Sequence, residues 1–203
     1  MKAKKWVSCI VLCLLTPAVV VGGTLLFAEK QYAWISLCIA LLACVPFFLH
    51  FERKSGSTQT LILIAAMVVL TAMYFGSEAG FMTGALSAVI SNFWFGQGPW
   101  TPFQMVSWGL IGFIAGLLAN PLKRSSILLA VYGLFSGALF SLLMDTWTVL
   151  WQDGYFNLAR YGAYVLSSLP WMAVYALSNV IFLLLFTPLV GKVLTRVKTK
   201  YGL

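Results

Sequence analysis

Apolar positions along the chain gather into six runs, at residues 6–27, 32–51, 61–90, 105–119, 127–150 and 164–189, separated by short polar or glycine-containing joints. Runs of about 20 apolar residues are long enough to cross a bilayer as helices, and five of the six have ordinary spanning length. The third has 30 residues. As a straight helix it would measure about 45 Å against a hydrocarbon core of about 30 Å, and Gly76, Glu78 and Gly80 interrupt it. It is therefore either one long broken helix or a pair of short ones, with the break near Gly76 to Gly80. The pattern predicts an all-α polytopic membrane protein of about six transmembrane helices in one bundle. No repeat, linker or low-complexity tract divides residues 1–203, so a single integral membrane domain is expected.

Composition agrees, since 61% of residues are hydrophobic and only 9% charged, where a soluble domain would carry roughly a quarter charged residues. The formal net charge of +8 would suit nucleic acid, but the basic residues sit at the edges of apolar runs, where they encode topology instead. With six spans, Lys2, Lys4, Lys5, Arg53, Lys54, Lys123, Arg124, Lys192, Arg196, Lys198 and Lys200 fall on one side, and only Lys30 and Arg160 on the other. By the positive-inside rule both termini are then cytoplasmic. Counting the third run as two spans spoils the split to six against seven. The start has the basic head and apolar middle of a signal peptide, but its apolar run is long for one and Leu26-Phe27-Ala28 is a poor cleavage site, so it is read as a first span. Cys9, Cys13, Cys38 and Cys44 lie inside apolar stretches without a C-x-x-C pair and are read as packing thiols.

Energy-coupling and catalytic motifs are missing. The one Gly-Lys pair, Gly191-Lys192, is followed by Val193, so no phosphate loop exists. A single histidine, His50, beside Glu52 and Arg53, rules out His-rich metal sites and a Ser-His-Asp triad. Glu78 and Asp145 are the deep acidic candidates for a membrane enzyme, too few for concerted chemistry or proton pumping. No catalytic residue, metal or cofactor is expected. Small residues at four-residue spacing are plentiful: Gly76, Gly80 and Gly84; Gly112 and Gly116; Gly133, Gly137 and Ser141. Such faces let helices approach closely inside a bundle, or against a membrane partner.

The stretch SNFWFGQGPWTPFQM, residues 91–105, holds the chemistry. It lies within 44 residues without a charge, between Glu78 and Lys123, and six-span topology puts it on the outer face. Asn92, Gln97, Thr101 and Gln104 offer amide and hydroxyl groups, Trp94 and Trp100 flat aromatic faces, and Pro99 and Pro102 stiffness. Trp34, Trp147, Trp151 and Trp171 also fall toward this side, and only Trp6 toward the other, which a symmetric interfacial belt would not produce. An outward pocket for a ring-bearing solute is the favoured reading. Asp145 either accepts hydrogen bonds from a ligand, or caps a helix, or pairs with Arg160. Asn179, in the last span, is a further candidate, with interhelical hydrogen bonding as its ordinary role.

These segments resemble a known family. GFMTGALSAVISNFWFGQGPWTPFQMVSWGLIGFIAGLL, YGLFSGALFSLLMDTW and SNVIFLLLFTPLVGKVLTRVKTKYG, together covering about residues 76–202, look like the substrate-binding (S) components of energy-coupling factor (ECF) transporters, and more narrowly like a branch associated with cobalamin-type vitamin uptake. The resemblance implies a multi-pass protein of a prokaryotic plasma membrane, a non-enzymatic subunit of an ATP-driven (ABC-type) importer. It would capture a vitamin-like molecule from outside and topple in the bilayer to deliver it with a transmembrane coupling subunit and two cytoplasmic ATPases. The family's small-residue docking motif maps to Ala65, Ala72 and Gly76, in a region shorter here than in the relatives. The competing expectation is a non-transporting assembly or accessory subunit that packs through its small-residue faces.

Overall fold

The computed structural model describes residues 56–201, with side chains from Ile64 onward except those of Trp94, Phe95 and Tyr201. The first two predicted spans, the four cysteines, Trp6, Trp34 and His50 lie outside the described residues. The described chain is all-helical: α1 (Gly56–Phe75), α2 (Ser77–Phe95), α3 (Thr101–Leu117), α4 (Ala119–Arg124), α5 (Ser126–Asp153) and α6 (Leu158–Tyr201). Of these, α5 and α6 are long and apolar enough to cross a membrane, while α3 and the Ile64–Phe75 part of α1 are shorter apolar stretches.

The long third run resolves into the pair of short helices, α1 and α2, and the break falls at Gly76, inside the predicted interval. Gly76 has φ 100° and ψ 174°, a backbone that a side chain would strain, so this one residue lets the chain stop one helix and start the next. The two helices fold back on each other. Ala72 of α1 meets Gly80 of α2, and Ile64 and Val68 share a buried cluster with Ala85, Ala88, Met105 and Trp108. Gly56 thus lies at the end of the bundle away from Gly76.

Helices α2 and α3 form the closest antiparallel pair. A Cβ at Gly80 would lie 2.7 Å from the carbonyl oxygen of Gly112, one at Gly84 would strike the Trp108 carbonyl, and one at Gly116 would strike Ser77. Helices α5 and α6 pair in the same manner, with Gly137 against Ala176 and Gly133 against Val180. All three small-residue ladders are therefore spent on packing within the chain, the route by which helices approach where the hydrophobic effect gives no help. A larger core formed by Leu70, Met73, Ile111, Leu129 and Leu183 joins the two hairpins, and the Tyr132 hydroxyl ties α5 to α3 by donating to the Ile111 carbonyl.

The antiparallel order gives the described bundle two unlike ends. One holds the α2–α3 and α5–α6 connections. The other holds Gly76, α4 and the C-terminal part of α6, and carries Lys123, Arg124, Lys192, Arg196, Lys198 and Lys200, six of the seven basic residues between positions 56 and 201. The seventh, Arg160, is at the opposite end. At about 1.5 Å per residue, the 44-residue α6 runs about 66 Å, past the roughly 30 Å of a hydrocarbon core, and Lys192, Arg196, Lys198 and Lys200 lie in its last ten residues.

Candidate functional site at the neutral end

The loop between α2 and α3 is built by local rules. Gly96 ends α2 at φ 99°, and Pro102 sits in the first turn of α3, where its missing N–H costs nothing. The Trp100 ring lies over Gly98, where no side chain would fit, and remains 41% exposed.

The four polar residues read as ligand contacts do come together, and they are bonded mainly to one another. The Asn92 amide donates to Thr101 Oγ1 at 2.9 Å and to Gln104 Oε1 at 2.8 Å. Thr101 Oγ1 donates to Gln97 Oε1 at 3.0 Å and accepts from the Gly98 amide at 3.3 Å, while Gln97 Nε2 reaches back to the Val89 carbonyl at 3.0 Å. Asn92, Thr101 and Gln104 are buried, and Gln97 is exposed. A neutral polar group under apolar helices must find a partner, and these side chains find it between the end of α2, the start of α3 and the loop joining them. The network fixes the loop's shape. The Trp94 side chain lies outside the described residues.

The aromatic part of the prediction assembles beside this loop. Trp147 of α5 is buried, with its ring centroid 5.6 Å from that of Phe103 and 5.6 Å from that of Trp151, the latter pair stacked. Trp151 is 40% exposed. Phe103 directly precedes Gln104, so the stack abuts the hydrogen-bonded loop. It presents flat, partly open aromatic surface at the end of the bundle.

Asp145 does not pair with Arg160. Its Oδ2 accepts a 2.6 Å hydrogen bond from Ser168 on α6, while Arg160 pairs with Asp153 at 3.1 Å and also donates to Gln152. Asp145 thus links two helices, and Arg160 and Asp153 close the α5–α6 turn. Asn179 lies deeper and apart, donating to Ser136 Oγ at 3.0 Å in the interhelical role foreseen for it. It lines a cavity of about 20 Å³ with Trp108 and Tyr175, room for a single water. The predicted docking residues do not share an open face: Ala72 is fully buried under Gly80, Ala65 is half-buried beside the same small cavity, and Gly76 is the hinge. Glu78, exposed in the first turn of α2, is at the cationic end, far from Asp145, so the two acids form no catalytic pair.

Two residues were missed by the sequence reading. Thr83 Oγ1 and Ser87 Oγ on α2 are buried with no hydrogen-bond partner among the described residues. With Ser91 they stand at four-residue intervals on one helix face, a spacing visible in the sequence but overshadowed by the glycines beside it.

The packing, the apolar lengths and the unequal ends together define a helical membrane protein with one nearly neutral, aromatic end and one cationic end. Over residues 27–196 the chain matches the profile of the family described as ECF-type riboflavin transporter, S component, and it belongs to that family. Members of this class are substrate-binding parts of membrane transporters, working with a membrane coupling subunit and ATPases. None of the curated proteins and none of the solved structures matches the chain.

Proposed function

We propose that this chain is the capture subunit of an ECF-type importer and that its ligand is a flat, ring-bearing vitamin taken up at the neutral end. The family description names riboflavin, which makes a flavin the first compound to consider; cobalamin, suggested by the narrower resemblance, is the second. The observation that carries the reading is the cluster of Phe103 with the stacked pair Trp147 and Trp151 beside a rigid loop, with Trp100 and Trp151 partly open. A planar heterocycle gains from stacking on such faces, and the exposed Gln97 supplies amide chemistry next to them. By the positive-inside rule the cationic end faces the cytoplasm, which leaves the aromatic end outside. The glycine ladders, on which an accessory role would rest, are occupied within the chain.

The test is titration of the purified protein with riboflavin and, separately, cobalamin, following tryptophan fluorescence. Riboflavin should quench it saturably, with Trp151→Ala weakening binding at least tenfold and leaving helicity unchanged. Absence of a saturable response to either vitamin contradicts the proposal.

A further inference from the structure

The cationic end contains a second feature that vitamin capture at the other end does not use. A groove of about 700 Å³ opens between the end of α1, α4, the start of α5 and the α6 stretch from Leu184 to Arg196. Its lining divides by chemistry. Leu122, Leu129, Leu184 and Pro188 form an apolar part, whereas Lys123, Lys192 and Arg196, with the hydroxyls of Ser126, Thr187 and Thr195, form a polar one. Tyr74 lies between them, with the Lys123 ammonium 4.7 Å from its ring centroid. Lys198 adds a fourth cation, donating to the Tyr74 carbonyl at 3.1 Å.

Among the described residues no carboxylate pairs with these charges. Among the described residues the ion pair is Arg160–Asp153, at the other end of the bundle, and no carboxylate lines the groove. Partial burial and the neighbouring Lys198 hold the Lys123 ammonium below the ordinary lysine pKa, as expected where like charges face one another without a counterion. Along α6 the exposed apolar residues Leu184, Leu185 and Leu189 give way directly to Lys192 and Arg196, the change in polarity that marks headgroup depth.

We propose that this groove binds the phosphate headgroup of an anionic phospholipid of the cytoplasmic leaflet. The three cations and the Ser126 hydroxyl take the phosphodiester, and an acyl chain lies along Leu184 and Pro188. The apolar half of the lining favours a lipid over free phosphate, and the uncompensated charge favours an anionic headgroup over a zwitterionic one. The lipid would neutralise the repulsion between Lys123 and Lys198 and hold the ends of α1, α4 and α6 together.

The test uses the full chain in nanodiscs of phosphatidylcholine doped with phosphatidylglycerol, extracted into detergent, with retained lipid identified by native mass spectrometry. Wild-type protein should retain phosphatidylglycerol in preference to phosphatidylcholine, and inorganic phosphate should not displace it. Lys192→Gln combined with Arg196→Gln should weaken that retention roughly thirtyfold, taking the usual contribution of a basic residue near an anionic surface for each. Arg160→Gln, at the opposite end, should leave it unchanged. On wild-type protein, a phosphatidylglycerol with a photoreactive headgroup should label peptides containing Tyr74 or residues 184–196, a readout that stands even where the double variant misfolds. Equal retention of the two lipids, displacement by inorganic phosphate, unchanged retention in a folded double variant, or labelling elsewhere would each overturn the proposal.

Discussion

Replacing Gly80 by alanine adds a single methyl group at the tightest helix crossing of the bundle. Its Cβ would stand 2.7 Å from the Gly112 carbonyl oxygen and 2.9 Å from the carbonyl carbon, about 0.7 Å inside ordinary van der Waals contact for the first, and it would also overlap the Ala72 methyl. Backbone atoms cannot turn aside as a flexible side chain can, so α2 must move away from α3, and α1 blocks the other direction. Overpacking of this kind costs about 1–3 kcal/mol. Loss of interhelical dispersion contacts along the crossing pushes the cost toward the upper part of that range. The control is Gly162→Ala on α6, where a Cβ would meet nothing within 4 Å and the lost chain entropy of glycine favours alanine by about 0.4–1 kcal/mol. Unfolding in a mild detergent, followed by circular dichroism against temperature, should show Gly80→Ala melting below wild type and Gly162→Ala at or above it. Equal melting of Gly80→Ala and wild type would refute the close packing of α2 on α3.

Other consequences follow from the neutral end and its surroundings. Asn92→Leu removes the donor shared by Thr101 and Gln104 and should destabilise the chain by about 1–3 kcal/mol in the same melting assay, because the buried Gln104 Oε1 loses its donor and Thr101 Oγ1 loses one of its three bonds. Thr83→Val, which replaces an unpartnered buried hydroxyl by a methyl of similar shape, should be neutral or stabilising by about 1 kcal/mol; a clear loss of stability would mean that the hydroxyl is bonded after all. Ser168→Ala strips Asp145 of its interhelical donor and should cost about 1–2 kcal/mol in melting while leaving vitamin binding intact, since Asp145 is assigned to helix linkage rather than to the ligand. Trp100→Ala should weaken uptake into cells without lowering the amount of protein in the membrane, because the ring is exposed and lies over Gly98 of its own loop.

The sequence was most informative where a single physical rule governed the outcome. Membrane helices followed from apolar length, and the break at Gly76 followed from a run too long for the bilayer with glycines in it. Charge counting favoured a single pass for this run, whereas α1 and α2 fold back on each other there. One glycine at positive φ suffices to fold α1 against α2, and basic residues at the edges of runs carry no record of a turn without charge. Asn92, Gln97, Thr101 and Gln104 do come together, but only Gln97 lies in the loop, with Asn92 in the last turn of α2 and Thr101 and Gln104 in the first turn of α3, and their partners are chiefly each other. Composition shows which groups need hydrogen bonds, whereas only the packing shows that Asn92 reaches both Thr101 and Gln104. Asp145 illustrates the same limit: Arg160 was the nearest cation in sequence, but helical phase turns Asp145 toward Ser168 and gives Arg160 to Asp153. Family membership was legible from the loop and the closing helix, and the family match covers both.

The most direct measurement of the central claim is the identity of the small molecule that travels with the protein. The chain should be purified from cells grown with vitamins, denatured, and its extract separated by liquid chromatography with mass detection. A ring-bearing vitamin, a flavin first among them, should be released in an amount approaching one per chain from wild type and in a much smaller amount from Trp151→Ala. An extract free of any vitamin, from protein that also fails to bind added riboflavin and cobalamin, would contradict the assignment of the aromatic end as a capture site.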